Sequence, residues 1–373
     1  MSAAPAGESR VSSDAYAVIV IGLLLHGDLG TSTGYDGPPP PTVDRLLGHW
    51  SFDLGPALLC ALAVVLYLLG VWRMHRRGDR WSIGRTAAWL TGWVVVAYAL
   101  LSGLAAYDDV LFSTHAVQHM LLATVAPVFL ALGAPITLGL RTLPRRVRKV
   151  LLWLLHTPVA RVLAFPLVGF IFLTVSLYAL YYSSLFEISL EHPSVHYLLH
   201  AHFLLAGCLF FWPIIGIDPL PGRLPHWGRL IVLFVSFPVH ALLGLSIMST
   251  AQPFAAKYFA AVARPWGSSV LSDQHTGGAI MWSSGELVGA VVFVALFIQW
   301  SRADEREAVR TDRRLDRAES AQQRAERLER IRVREEREQA ELDAYNARLA
   351  ALAAGPGHSR PPVPAIPAQT RPE

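Results

Sequence analysis

The chain has 373 residues, is 53% hydrophobic and only 16% charged, carries a formal net charge of +4, and has a mean hydropathy of +0.38. Nearly half of the charged residues fall in the short stretch after residue 300, so the remainder is too poor in charge for a soluble domain. The two cysteines, Cys60 and Cys208, sit far apart in apolar runs, which excludes a CxxC redox or thiol metallochaperone motif.

The first apolar stretch, AVIVIGLLL at 17–25, is too short to span comfortably. Residues 15–27 read either as a signal peptide or as an interfacial segment, and DGPPPPTVD (36–44) as an extended linker. Residues 1–53 are expected to form an external N-terminal segment with this Pro-rich linker.

Seven runs of roughly 20 apolar residues follow, near 54–72, 85–104, 114–138, 159–182, 194–216, 229–250 and 278–300. Each must be helical, because lipid offers the backbone no hydrogen-bond partner. Lys and Arg concentrate in alternate connections: RMHRRGDRWSIGR, RTLPRRVRK, the Arg223–Arg229 loop and the tail. AAYDDVLFST and YSSLFEISLEHPS contain neither residue. By the positive-inside rule the N-terminus is external and the C-terminus cytoplasmic. The expected architecture is therefore all-α, a multi-pass, seven-helix transmembrane bundle at residues 54–300 in a bacterial plasma membrane.

Residues 301–354 mix Glu and Arg at helical spacings, as an exposed charged helix does. Leu315, Leu328, Ile331 and Leu342 hold no clean heptad, which favours a lone cytoplasmic helix over a coiled coil. The Pro-rich end, 355–373, reads as disordered. The mixed signs of the tail give no support to nucleic-acid binding.

Histidines carry the chemistry. His115 and His119 open the third run, and His196 and His200 open the fifth. Residues four apart advance about 400° and about 6 Å along a helix, so each pair shares one face. His240 lies in the sixth run, His275 at the mouth of the seventh, and Glu286 about two turns further in. Depth sorts them into an outer tier of His115, His196 and His275, with Asp273 and His192 nearby, and an inner tier of His119, His200, His240 and Glu286. All fall on the external half. Ionisable groups in spans line cavities, pathways or sites, and imidazole ligates Zn, Cu, Fe and Ni. Met120, Met248 and Met281 on the same half raise copper among these, since thioethers favour Cu(I). A structural hydrogen-bond network is the plainer alternative.

The ordered segments STHAVQHMLLATVAPVFLALGAP, HYLLHAHFLLAGCLFFWPIIGIDP, SFPVHALLGLSIM and DQHTGGAIMWSSGE resemble the CtaG family of cytochrome c oxidase assembly factors, the integral-membrane type of Gram-positive bacteria. The resemblance covers about residues 45–300 and leaves the charged tail outside. It implies a role in maturing a haem–copper oxidase, connected with copper provision, and oxidase subunits as partners. The positions matching the family motifs are His115, His119, His196, His200, His240, His275 and Glu286. Some related actinobacterial proteins are fused to a second membrane domain resembling copper-resistance proteins, which is not expected here. A b-type haem protein, with haem between paired histidines, stays open as an alternative, as does a metal permease. No polar ladder continues into the cytoplasmic half, which counts against a through-path. With no HExxH present, enzymatic activity is not expected.

Overall fold

The computed structural model describes residues 35–353. The expected segment at 15–27 and the Pro-rich end from 355 lie outside them. Among the described residues the protein is helical, with one isolated β-bridge between Trp50 and Ser102. The chain divides into two compact units between Ile298 and Gln299.

The first unit opens with the short α1 (Val43–Gly48), followed by α2 (Leu54–Arg76), α3 (Ile83–Leu101) and α4 (Gly103–Tyr107). Next come α5 (Phe112–Met120), a π-helical turn at Leu121–Val125, α6 (Ala126–Leu132) and α7 (Pro135–Thr142). α8 (Arg145–Leu155) and α9 (Pro158–Leu163) lead to α10 (Pro166–Tyr181) and α11 (Leu185–Glu191). α12 (Pro193–Ile215), α13 (His226–Ser249), α14 (Ala256–Val262) and α15 (Val270–Ala353) complete the chain.

Among the described residues six helices are long and apolar enough to cross a membrane: α2, α3, the run Phe112–Thr142, α12, α13 and α15. A seventh crossing is reached only by counting α10 and α11, bent by 73°, as one span. The expected fourth run at 159–182 is not one helix. Pro166 has no N–H to continue the ladder from α9 and restricts Phe165, so a new helix starts there.

The core gathers where α5, the π-turn and α6 meet α10, α12 and α13, around Phe112, Tyr181, Phe186, Phe203, Leu233 and Ile247. A second cluster joins α2, α3, α6 and α7 through Tyr67, Trp89 and Trp93. The π-turn has a local cause. Pro127 lacks the N–H that would extend the α-ladder, and the Ala126 N–H bonds Leu121 O, five residues back. On this side α12 comes to backbone contact, and a Cβ on Gly207 would strike the Ala123 carbonyl and the Pro127 ring.

Two of the quoted sequence segments meet at the other end of this contact. Ala134 adopts a left-handed conformation (φ 51°) before α7. Asp218, beyond α12, accepts from the N–H groups of Ile136 and Thr137, the Thr137 hydroxyl (2.5 Å) and the Trp212 indole (2.9 Å). A carboxylate there satisfies the free amides that begin α7. LGAP and GIDP are thus two halves of one clasp.

The second unit continues α15 as an exposed helix to Ala353. Arg332 pairs with Glu329 (2.8 Å) and Glu336 (3.6 Å), and Arg334 with Glu338 (2.9 Å). Such exposed pairs each stabilise a helix by about 0.3–0.5 kcal/mol.

Candidate metal centre

α5 and α12 lie face to face, so their two HxxxH pairs close into one group. Ring centroids stand 4.0 Å apart for His115–His119, 5.4 Å for His115–His196, 4.4 Å for His196–His200 and 5.9 Å for His119–His200. His115 and His119 are fully buried and His200 is 8% exposed. Phe186 and Phe203 pack against the rings.

The hydrogen bonding of this group is incomplete. Both nitrogens of His115, both of His119, Nε2 of His196 and Nδ1 of His200 are buried without a hydrogen-bond partner. The Asp108 backbone approaches His115 but does not meet hydrogen-bond geometry. An unsatisfied buried polar group costs roughly 1–3 kcal/mol. Six such nitrogens in one cluster are a poor solution for a purely structural network. They are the donor set a borderline or soft cation takes, so the residues fit a metal.

Asp108 completes the group from the turn before α5. Its Oδ2 lies 3.5 Å from His196 Nε2 and 3.9 Å from His200 Nε2. One ligand atom each from Asp108, His196 and His200 can fall within 4.8 Å of one another. Burial, with the neighbouring Asp109 adding to it, pushes the Asp108 carboxyl well above the usual carboxylate range. An adjacent cation is what would favour its ionised form. A cavity of about 240 Å³, with Asp53, Asp109 and Tyr197 on its wall, reaches Asp108, His196 and His200.

The other predicted residues lie elsewhere. His240 and Glu286 line a separate apolar cavity of about 50 Å³ with Thr124, Phe170 and Phe237. Both His240 nitrogens and Glu286 Oε1 are buried and unpartnered there. A Cβ on Gly285 would run into the His240 ring, so this glycine makes room for it. His275 Nε2 meets the Thr250 carbonyl at 3.3 Å. Asp273 accepts from the Ser113 hydroxyl (2.6 Å) and N–H (3.4 Å), capping the start of α5. His192 is the exposed N-cap of α12.

A family model described as cytochrome c oxidase caa3 assembly factor matches residues 65–303. The chain belongs to this family. It is 42% identical over 293 residues to an uncharacterized protein of Mycobacterium bovis and to one of Mycobacterium tuberculosis, and 41% identical to one of Mycobacterium leprae. Each match covers 76% of this chain and 44% of the relative, so the chain spans less than half the length of the curated relatives it matches. No solved structure matches it significantly.

Two polar residues of this centre, Asp108 and Gln118, were not among the expected site residues. Each leaves a trace in the sequence. Asp108 belongs to an acidic pair in an otherwise uncharged turn, and Gln118 sits one residue before His119 inside STHAVQH. Gln118 is fully buried and accepts from His200 at 2.8 Å.

Proposed function

We propose that this assembly factor binds copper in the His115, His119, His196, His200 centre, with Asp108 at its edge, and passes it to a haem–copper oxidase subunit. The observation that carries the reading is the set of buried, unpartnered imidazole nitrogens that α5 and α12 bring together. Family membership supplies the oxidase. Copper is favoured among imidazole-binding ions because such oxidases require it. The protein acts as a carrier and catalyses no reaction.

The basic connections, including Arg76, Arg77, Arg145, Arg146 and Arg148, support a cytoplasmic position for the end of the bundle opposite Asp108. The centre then opens on the external side of a bacterial plasma membrane, with the charged helix in the cytoplasm. Asp53 and Asp109 make the cavity mouth acidic, which favours entry of a cation. His240, Glu286 and His275 contribute no ligand to this first ion.

The test is metal analysis with a visible spectrum on detergent-purified protein loaded with Cu(I). The same measurements are made on a variant carrying His115→Ala, His119→Ala, His196→Ala and His200→Ala. Copper retained by the parent, lost by the variant and accompanied by no haem band is the expected result. Equal copper in both, or a haem band, would overturn the reading.

A further inference from the structure

We infer that Gln118 fixes the tautomer of His200, and thereby decides which nitrogen of that ring is offered to a metal. The inference starts from a carbonyl. α3 ends at Leu101, so the last carbonyls of the helix have no helical donor. Tyr98 O receives the Ser102 N–H and Leu101 O receives the Ser51 N–H. Ala99 O receives the side-chain amide of Gln118, Nε2 to O at 2.9 Å. A carbonyl only accepts, so this contact sets which end of the amide is nitrogen.

The amide oxygen is therefore the atom 2.8 Å from His200 Nε2. An amide oxygen cannot donate, so the proton of that bond belongs to the imidazole. His200 is the Nε2–H tautomer, and its lone pair is on Nδ1, the nitrogen that is buried without a partner.

This selects between two donor sets. Through Nε2, His200 would join Asp108 and His196 in a mixed oxygen and nitrogen site. With its proton held on Nε2 by Gln118, His200 cannot ligate through that nitrogen, and Asp108 and His196 lose it as a third ligand. A set containing carboxylate suits a harder ion. Gln118 acts as a positioning residue that keeps His200 out of the carboxylate-containing set. It touches no metal. The consequence for metal preference rests on the reading that this centre binds a metal; the tautomer does not.

The experiment is long-range proton–nitrogen NMR on metal-free protein with ¹⁵N-labelled histidine, His200 being assigned by its loss in His200→Gln. The parent is expected to show Nε2–H for His200. Gln118→Leu is expected to lose that signature, and Gln118→Glu, which can still accept from Nε2–H, to keep it. Competition between Cu(I) and Zn(II) is then measured on the same three proteins. Gln118→Leu is expected to lose roughly 10–100-fold in Cu(I) affinity relative to Zn(II), the range typical of such outer partners, with Gln118→Glu closer to the parent. An Nδ1–H or doubly protonated His200 in the parent would overturn the inference. So would an Nε2–H signature that survives Gln118→Leu, or an unchanged preference despite a changed tautomer. A parent with the expected tautomer and no metal affinity would sink the copper reading and leave the tautomer assignment standing.

Discussion

The bundle holds two histidine sites of different construction. Around His200 the polar groups are linked: Gln118 ties the ring to Ala99 O, and Asp108 approaches two imidazoles. Around His240 they are not. That ring sits among Phe170, Phe237 and Leu233 with Glu286, and a glycine makes its room. Both leave imidazole nitrogens unsatisfied, but only the first surrounds them with groups that orient them. A site that must present several ligands at once needs that outer scaffolding. A single imidazole in an apolar pocket needs only space.

The sharpest way to break this contrast is to delete ligands on each side of it. His119→Ala with His200→Ala is expected to abolish copper retention, whereas His240→Ala leaves it within a few-fold. Equal losses, read by metal analysis on purified protein, would merge the two sites into one. Gly285→Ala is next in size. Its methyl overlaps the His240 ring, and overpacking of this kind costs about 1–3 kcal/mol. Melting temperature in detergent should fall, with copper content unchanged.

A smaller effect of opposite sign tests whether the first site is held at the expense of stability. His115→Leu exchanges a buried, unsatisfied imidazole for an apolar side chain. The metal-free protein is expected to gain about 1–2 kcal/mol against unfolding, while copper affinity drops. A destabilised apo variant would mean the imidazole has a partner. The least effect belongs to the exposed helix. Glu338→Ala removes its 2.9 Å pair with Arg334 and should shift stability by no more than about 0.5 kcal/mol, with no change in copper.

Much of this was legible in the sequence because it depends on local periodicity. The i, i+4 spacing of His115 with His119, and of His196 with His200, dictates a shared face whatever surrounds the helix. Which faces meet is a property of packing. His240 has the same residue type and a similar expected depth, yet the crossing of α12 over the π-turn at Gly207 favours the α5 pair. Gln118 and Asp108 could not be singled out, since their roles depend on a free carbonyl on α3 and on the fold of a four-residue turn. Asp273, expected only near the outer tier, takes its role from packing as well. Its carboxylate accepts from the Ser113 N–H and hydroxyl at the start of α5. The broken fourth run was announced by Pro166, which composition alone conceals.

The π-turn at Leu121–Val125 bears on how this chain should be compared with others. A turn closed over five residues contains one residue more than the helix on either side of it. In an alignment it behaves as a single-residue insertion, and a relative lacking it would show a one-position gap between the histidines and the LGAP segment. Deleting one residue there would let the turn close as an α-helix with the downstream register kept, whereas a deletion elsewhere in α5 or α6 would turn everything beyond it by about 100° and carry the Asp218 clasp off its partner. Spacing across that point, more than percentage identity, is the character by which members with the same internal geometry can be sorted.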